Sequence, residues 1–184
     1  MVLLARFPVR TAILSLLAAA ALSVAIDAAG QQSLERNVKA AYLYNFAKFV
    51  VWPEPASSNE FRICVVGDPA FAIALDDIIK GEKSPGRQMV RMEPESAEAA
   101  RNCQILFIGT HAAHQGTTLL AAVRRSPVLT VGDAPDFLRR GGTIRFVTED
   151  DRVRFDISPA AADLAGLKIS SKLLRVARRL WGAA

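Results

Sequence analysis

The amino-acid sequence predicts a single α/β domain of three layers, with a mostly parallel sheet, a C-terminal antiparallel hairpin and a long N-terminal helix. Three observations carry that expectation. Between Phe61 and Arg140, short apolar runs alternate with helix-patterned segments, the order expected when crossover helices join parallel strands and cover both sheet faces. After Gly141, the runs TIRFVT and RVRFDI alternate between apolar and polar residues around Glu149-Asp150-Asp151; this marks a hairpin with one wetted face. Ahead of the first strand, Ser33–Trp52 (SLERNVKAAYLYNFAKFVVW) places Leu34, Val38, Ala41, Tyr42, Phe46, Phe49 and Val50 near helical spacing and meets Pro53 as a stop.

The elements follow in order. Pro53, Pro55, Ser57, Ser58 and Asn59 form a breaker-rich connection to a strand at Phe61–Val66, which a helix at Ala70–Lys80 follows. A loop with Gly81, Pro85 and Gly86 leads to a strand at Gln88–Met92 and a short helix at Glu95–Arg101. Next come a strand at Gln104–Ile108, a helix at Ala112–Arg125, a strand at Val128–Val131 and a short helix at Pro135–Arg140. Thr143–Thr148 and Arg152–Ile157 are the hairpin strands. Two helices close the chain: Pro159–Ala165 entered from Ser158, and Ser171–Trp181 with Ser170 as N-cap. With 184 residues, 51% of them apolar and 22% charged, the composition supports one packed core and excludes a disordered chain.

The first residues have the order of a secretory signal. Arg6 and Arg10 precede the uncharged run Thr11–Ala25, which is shorter than the roughly 20 residues needed to span a bilayer. Ser23-Val24-Ala25 supplies a small-x-small signal, so cleavage is expected near 25–30, between Ala25 and Gln31. The leader is 1–29 and the α/β domain 30–184, with no integral membrane segment after processing; an uncleaved N-terminal anchor is the alternative. Export makes a Cys64–Cys103 disulfide the natural expectation, since thiols outside the cytosol tend to be oxidised, and both residues sit in strand-like runs. The alternative is two buried thiols packing as small hydrophobes.

The formal charge of +5 weakly favours an anionic partner. The one basic concentration, Lys168, Lys172, Arg175, Arg178 and Arg179, interleaves with Leu173, Leu174, Val176, Ala177 and Leu180. That pattern is a docked amphipathic helix with a solvated basic face, or a contact for acidic lipid or an acidic partner. No nucleic acid is expected.

Three strands end alike, in Val66-Gly67-Asp68, Ile108-Gly109-Thr110 and Val131-Gly132-Asp133. Glycine permits the sharp turn and the polar residue caps the next helix. Because the carboxyl ends of parallel strands line one edge, Asp68, Thr110 and Asp133 are also candidates for a small-molecule crevice. Acidic residues at two of the three entrances disfavour a phosphate there.

Recognisable catalytic machinery is absent. His111 and His114 are the only histidines, two ligands where a metal site usually needs three or four. No Gly-x-Ser-x-Gly elbow, Walker loop or Gly-x-Gly-x-x-Gly occurs, and N-capping accounts for Ser170-Ser171 beside Lys172. Asp76-Asp77 and Glu149-Asp150-Asp151 read as solvated acids. Neither a cofactor nor an enzymatic activity is expected.

The segments VKAAYLYNFAKFVVWP (Val38–Pro53), FRICVVGDPAF (Phe61–Phe71), CQILFIG (Cys103–Gly109), PVLTVGDAPDF (Pro127–Phe137), GGTIRFVTEDDRVRFDI (Gly141–Ile157) and AGLKISSKLLRVAR (Ala165–Arg178) resemble, in order, the YfiR-like family of periplasmic regulators. The resemblance implies a non-catalytic periplasmic protein that binds the periplasmic sensor region of a membrane diguanylate cyclase and represses cyclic di-GMP synthesis, with release under envelope stress. It also implies a homodimer and an oxidised pair at Cys64 and Cys103. A second disulfide near the hairpin, part of the family's pattern, has no counterpart, because Gly141–Ile157 contains no cysteine. Candidate partner or dimer surfaces are the aromatics Tyr42, Tyr44, Phe46, Phe49 and Trp52, and Leu173, Leu174 and Trp181 near the C-terminus; each is also a candidate for the core. A periplasmic small-molecule-binding module of a signalling or transport system is the second reading.

Overall fold

A computed structural model describes residues 30–53, 58–84 and 86–182. The expected leader lies outside the described residues. The chain separates into two compact units, Met1–Glu35 and Arg36–Ala184. In the first, the described residues 30–35 are helical.

The second unit opens with helix α1, residues 36–49, and strand β1 (Val50–Val51). The parallel part comprises β2 (Glu60–Val66), α2 (Pro69–Ile79), β3 (Gln88–Met92), β4 (Ile105–Ile108), α3 (Ala113–Val123) and β5 (Leu129–Gly132). The hairpin strands are β6 (Ile144–Glu149) and β7 (Arg152–Ile157). Last come α4 (Pro159–Leu164), β8 (Lys168–Ile169), α5 (Ser171–Val176) and β9 (Arg179–Leu180). Seven strands form one sheet in the order β3-β2-β4-β5-β6-β7-β9, and β1 pairs separately with β8. The ladders from β3 to β6 are parallel, β6 and β7 are antiparallel, and β9 runs parallel to β7.

Successive side chains in a strand point to opposite faces, so the central strands build two cores at once. Ile63, Val65, Ile105, Phe107, Leu129 and Val131 pack with Leu43 and Phe46 of α1, Phe71, Leu75 and Ile79 of α2, and Leu173 of α5. Cys64, Val66, Leu106 and Ile108 face the other way, onto Leu119, Leu120 and Val123 of α3 and onto Phe137. Every residue of β4 and β5 is buried, as a parallel strand covered on both sides requires. Phe46 joins the first core through ring contacts with Phe146 and Phe155.

Cys64 of β2 and Cys103, two residues before β4, form a disulfide with Cα atoms 5.9 Å apart. Both are buried in the second core. The crosslink ties two central neighbours, whose ladder matches Cys64 with Leu106.

Four segments differ from the helices that sequence spacing suggests. The expected helix Ser33–Trp52 ends at residue 49, where Val50 and Val51 become a strand paired with β8. Of Glu95–Arg101, only a 3-10 turn at Ala99–Asn102 forms. Pro135–Arg140 is a series of turns, closed by Phe137 N–H to the Ala134 carbonyl and Arg140 N–H to the Asp136 carbonyl. These turns drive the Phe137 ring between two glycines: a Cβ at Gly132 would lie 2.5 Å from the ring, and one at Gly142 2.2 Å. The expected helix Ser171–Trp181 ends at Val176, because Ala177 is extended and the chain then pairs with β7.

Replacing Cys64 and Cys103 together by alanine removes a crosslink across a sequence separation of 39. Urea unfolding should show a loss of about 2–5 kcal/mol.

Candidate functional site

At the carboxyl ends of β2, β4 and β5 the three candidate residues have separate surroundings. Asp68 caps α2 by accepting the Phe71 N–H at 2.9 Å. Asp133 is paired with Lys39 of α1 at 3.2 Å, and Thr110 is exposed in a 3-10 turn. A Cβ on Gly67 would lie 2.4 Å from the Ala112 Cβ, and one on Gly109 3.0 Å from the Asp68 Cβ. Glycine at these two positions therefore serves close approach of neighbouring turns, with Gly67 also at φ +77°. The recess beside Asp68 is lined by Val65, Gly67, Pro69, Ala72, Ile73, Arg91 and Glu93, and by neither Thr110 nor Asp133.

The aromatics of α1, and Trp52 just beyond β1, are mostly committed to packing. Phe46 is fully buried, and Tyr42 lies against Phe46 and Phe155 with its hydroxyl donating to the Val153 carbonyl. Tyr44 bonds Glu82 through its hydroxyl and carries Lys48 over its ring. Trp52 meets Phe61 edge-on and donates its indole N–H to the Gln104 carbonyl. Phe49 is exposed.

The strongest polar constellation lies at the C-terminal end of the sheet. Asp150 and Asp151 both have positive φ, 48° and 57°, the conformation that lets a tight turn follow the strand twist. That turn sets β6 and β7 in register, with Arg145 opposite Asp156. The Asp156 carboxylate is wholly excluded from solvent. It accepts from Arg145 at 2.6 Å and from Arg178 through two nitrogens, at 2.8 and 2.7 Å. Arg178 also reaches Glu149. Burial alone raises the Asp156 pKa; hydrogen bonds from Arg178 and Arg145, together with their charges, outweigh it and hold the group below its ordinary value. The hydrogen bond to Asp156 likewise raises Arg178, against a smaller opposing effect of burial.

This ion cluster explains why α5 stops early. A buried carboxylate needs cations beside it, and Arg178 reaches Asp156 from an extended segment whose backbone N–H bonds the Phe155 carbonyl at 2.8 Å. Trp181 N–H then bonds the Ile157 carbonyl at 2.7 Å. The pinned segment leaves Val176 68%, Leu180 37% and Trp181 40% exposed. Lys172, Arg175 and Arg179 are exposed on the same stretch of chain, while Leu173 is buried and Leu174 partly so. Of the five basic residues in the C-terminal concentration, Arg178 alone is bound into the ion cluster with Asp156. The sequence carried no signal for this arrangement: in RVRFDI the acid shares a strand face with Arg152 and Arg154, which are exposed, so the alternation reads as a wetted face and not as a buried carboxylate.

The family model described as DUF4154, YfiR/HmsC-like, matches residues 36–178. The chain belongs to the YfiR/HmsC-like family. Its match runs from the start of the second unit to the arginine that clamps Asp156. The family is one of periplasmic regulators. No curated protein matches the chain. Two similar solved structures are a conserved domain protein from Vibrio cholerae and an ABC domain in complex with L-Trp from Streptococcus pneumonia. The first has TM-score 0.49 and 16% identity, covering 65% of this chain and 54% of that one. The second has TM-score 0.49 and 11% identity, covering 66% and 56%. The chain thus spans about half the length of each. Among the described residues, no helix is long and apolar enough to cross a membrane, and no group of three or more His, Cys, Asp or Glu could hold a metal ion.

Two outcomes test the ion cluster. A carboxylate with a lowered native pKa stabilises the fold fully above its unfolded value of about 3.9, and that contribution is lost as pH falls through the native value. Asp156→Asn should therefore flatten the acid limb of stability against pH below about pH 4, and cost about 3–5 kcal/mol at neutral pH in urea unfolding. Arg178→Ala should release the end of the chain, so that the Arg178-site and Trp181 amides lose hydrogen-exchange protection while those of β4 and β5 keep theirs.

Proposed function

We propose that this YfiR/HmsC-like protein is exported by its leader, residues 1–29, and represses a membrane diguanylate cyclase by binding the enzyme's periplasmic sensor region. The C-terminal stretch 171–182 is the docking surface. One observation carries this reading: Val176, Leu180 and Trp181 stand in solvent on a segment that the Asp156–Arg178 pair fastens to the sheet.

Exposed apolar side chains within a charged rim are the ordinary composition of a protein-binding surface. Lys172, Arg175 and Arg179 supply that rim and suit an acidic border on the sensor region. Fastening also matters energetically, since a segment already held in its bound shape loses less conformational freedom on docking. Homodimerisation belongs to the same proposal, through exposed Phe49 and Val51 at the end of α1 and in β1.

A double variant, Val176→Glu with Trp181→Ala, tests the docking surface without opening the core. Binding to the immobilised periplasmic sensor region should weaken more than tenfold at unchanged Tm, and cyclic di-GMP in cells should rise to the level of the gene deletion. Wild-type binding and repression by this variant would overturn the assignment.

A further inference from the structure

Parallel sheets usually bind ligands at the carboxyl ends of their strands, yet here the better-equipped recess lies at the opposite edge. Its walls come from the starts of strands: Glu60 and Arg62 of β2, Arg87 just before β3, Arg101 to Gln104 before β4, and Pro127 before β5, with Trp52 and Pro53 alongside. The space is about 240 Å³. Drug-sized ligand sites run to about 300–1,000 Å³, so it suits a small molecule of about one ring.

Charge in this recess is unbalanced. Three arginines line it, and among the described lining residues Glu60 is the one carboxylate. Glu60 is occupied with Arg62 at 3.1 Å. Arg101 is drawn outward to Glu98, which does not line the space, and donates to the Ala122 carbonyl. Arg87 has no carboxylate partner among the described residues. Its guanidinium lies 5.2 Å from the Phe61 ring centre, and its Nε is buried without a hydrogen-bond acceptor. Burial also lowers its pKa, the mark of a cation that has lost water and gained no anion in return.

We propose that this recess is a binding site for a small organic carboxylate with a flat apolar body. Arg87 takes the carboxylate with its planar fork, which matches two oxygens at once, and Arg62 also lines the space. The ring rests on Trp52, Pro53, Pro127 and the Cys103 end of the disulfide. Trp52 is held in place by its indole bond to the Gln104 carbonyl at 3.1 Å, and Gln104 in turn accepts the Arg62 backbone N–H at 2.7 Å. The wall is therefore built before any ligand arrives.

The test is titration of the isotopically labelled, oxidised protein with benzoate and, separately, with inorganic phosphate, following the two tryptophan indole N–H signals by NMR. Benzoate should move the Trp52 signal saturably and leave that of Trp181 in place. Arg87→Gln should weaken benzoate at least tenfold, and Arg87→Lys, which keeps the charge and loses the fork, should fall between. Should Arg87→Gln fail to fold, Arg87→Lys carries the reading alone, because it keeps the charge and removes the fork. A Trp52 signal that does not respond to benzoate, or that responds equally in wild type and variant, overturns the site. Phosphate binding as tightly as benzoate overturns the assignment of an apolar body.

Discussion

A carboxylate without access to water, Asp156, decides how this chain ends. Left alone in a low-dielectric interior it would cost several kcal/mol, so the fold must deliver cations to it. Arg145 comes from the neighbouring strand by register, and Arg178 comes from beyond α5 only if the chain abandons its helix. The ion cluster thus converts a local electrostatic demand into a seventh strand, and it holds Val176, Leu180 and Trp181 where the core does not use them.

The middle of the molecule depends instead on apolar burial on both faces of the sheet. Residues of odd number in β2 and β4, such as Ile63, Val65, Ile105 and Phe107, face α1 and α2, while Cys64, Val66, Leu106 and Ile108 face α3. The disulfide lies in the second of these layers and joins the two strands between which the chain order reverses. Ordering both layers around the same two strands, β2 and β4, leaves little freedom for either to shift alone.

Much of this was legible in the residues themselves. Continuous apolar runs at Phe61–Val66 and Gln104–Ile108 mark strands covered on both sides, and the alternation in TIRFVT and RVRFDI marks the hairpin, because each pattern follows directly from strand geometry. Ser158 and Ser170 cap their helices as their positions suggest. Tertiary effects hid the rest. Helical spacing in Arg175–Trp181 gave no sign that Arg178 would be drawn to an acid 22 positions earlier. Local composition at Pro135–Arg140 could not show that Phe137 would be wedged between Gly132 and Gly142. Asp68 and Asp133 stood where ligands often bind, and they are engaged with a helix end and with Lys39. Arg87 lies in a connection with no periodicity, so its place beside Trp52 and Arg62 becomes visible only once the strands are aligned.

The sheet finishes at β9, which is two residues long and exposed at both. A long flat border would present a row of free amides and carbonyls to any passing strand, and stacking of copies into fibres starts from such borders. With Arg179 and Leu180 alone there among the described residues, one of them charged, this flank is a short template for another chain, set beside the apolar side chains that the same segment exposes.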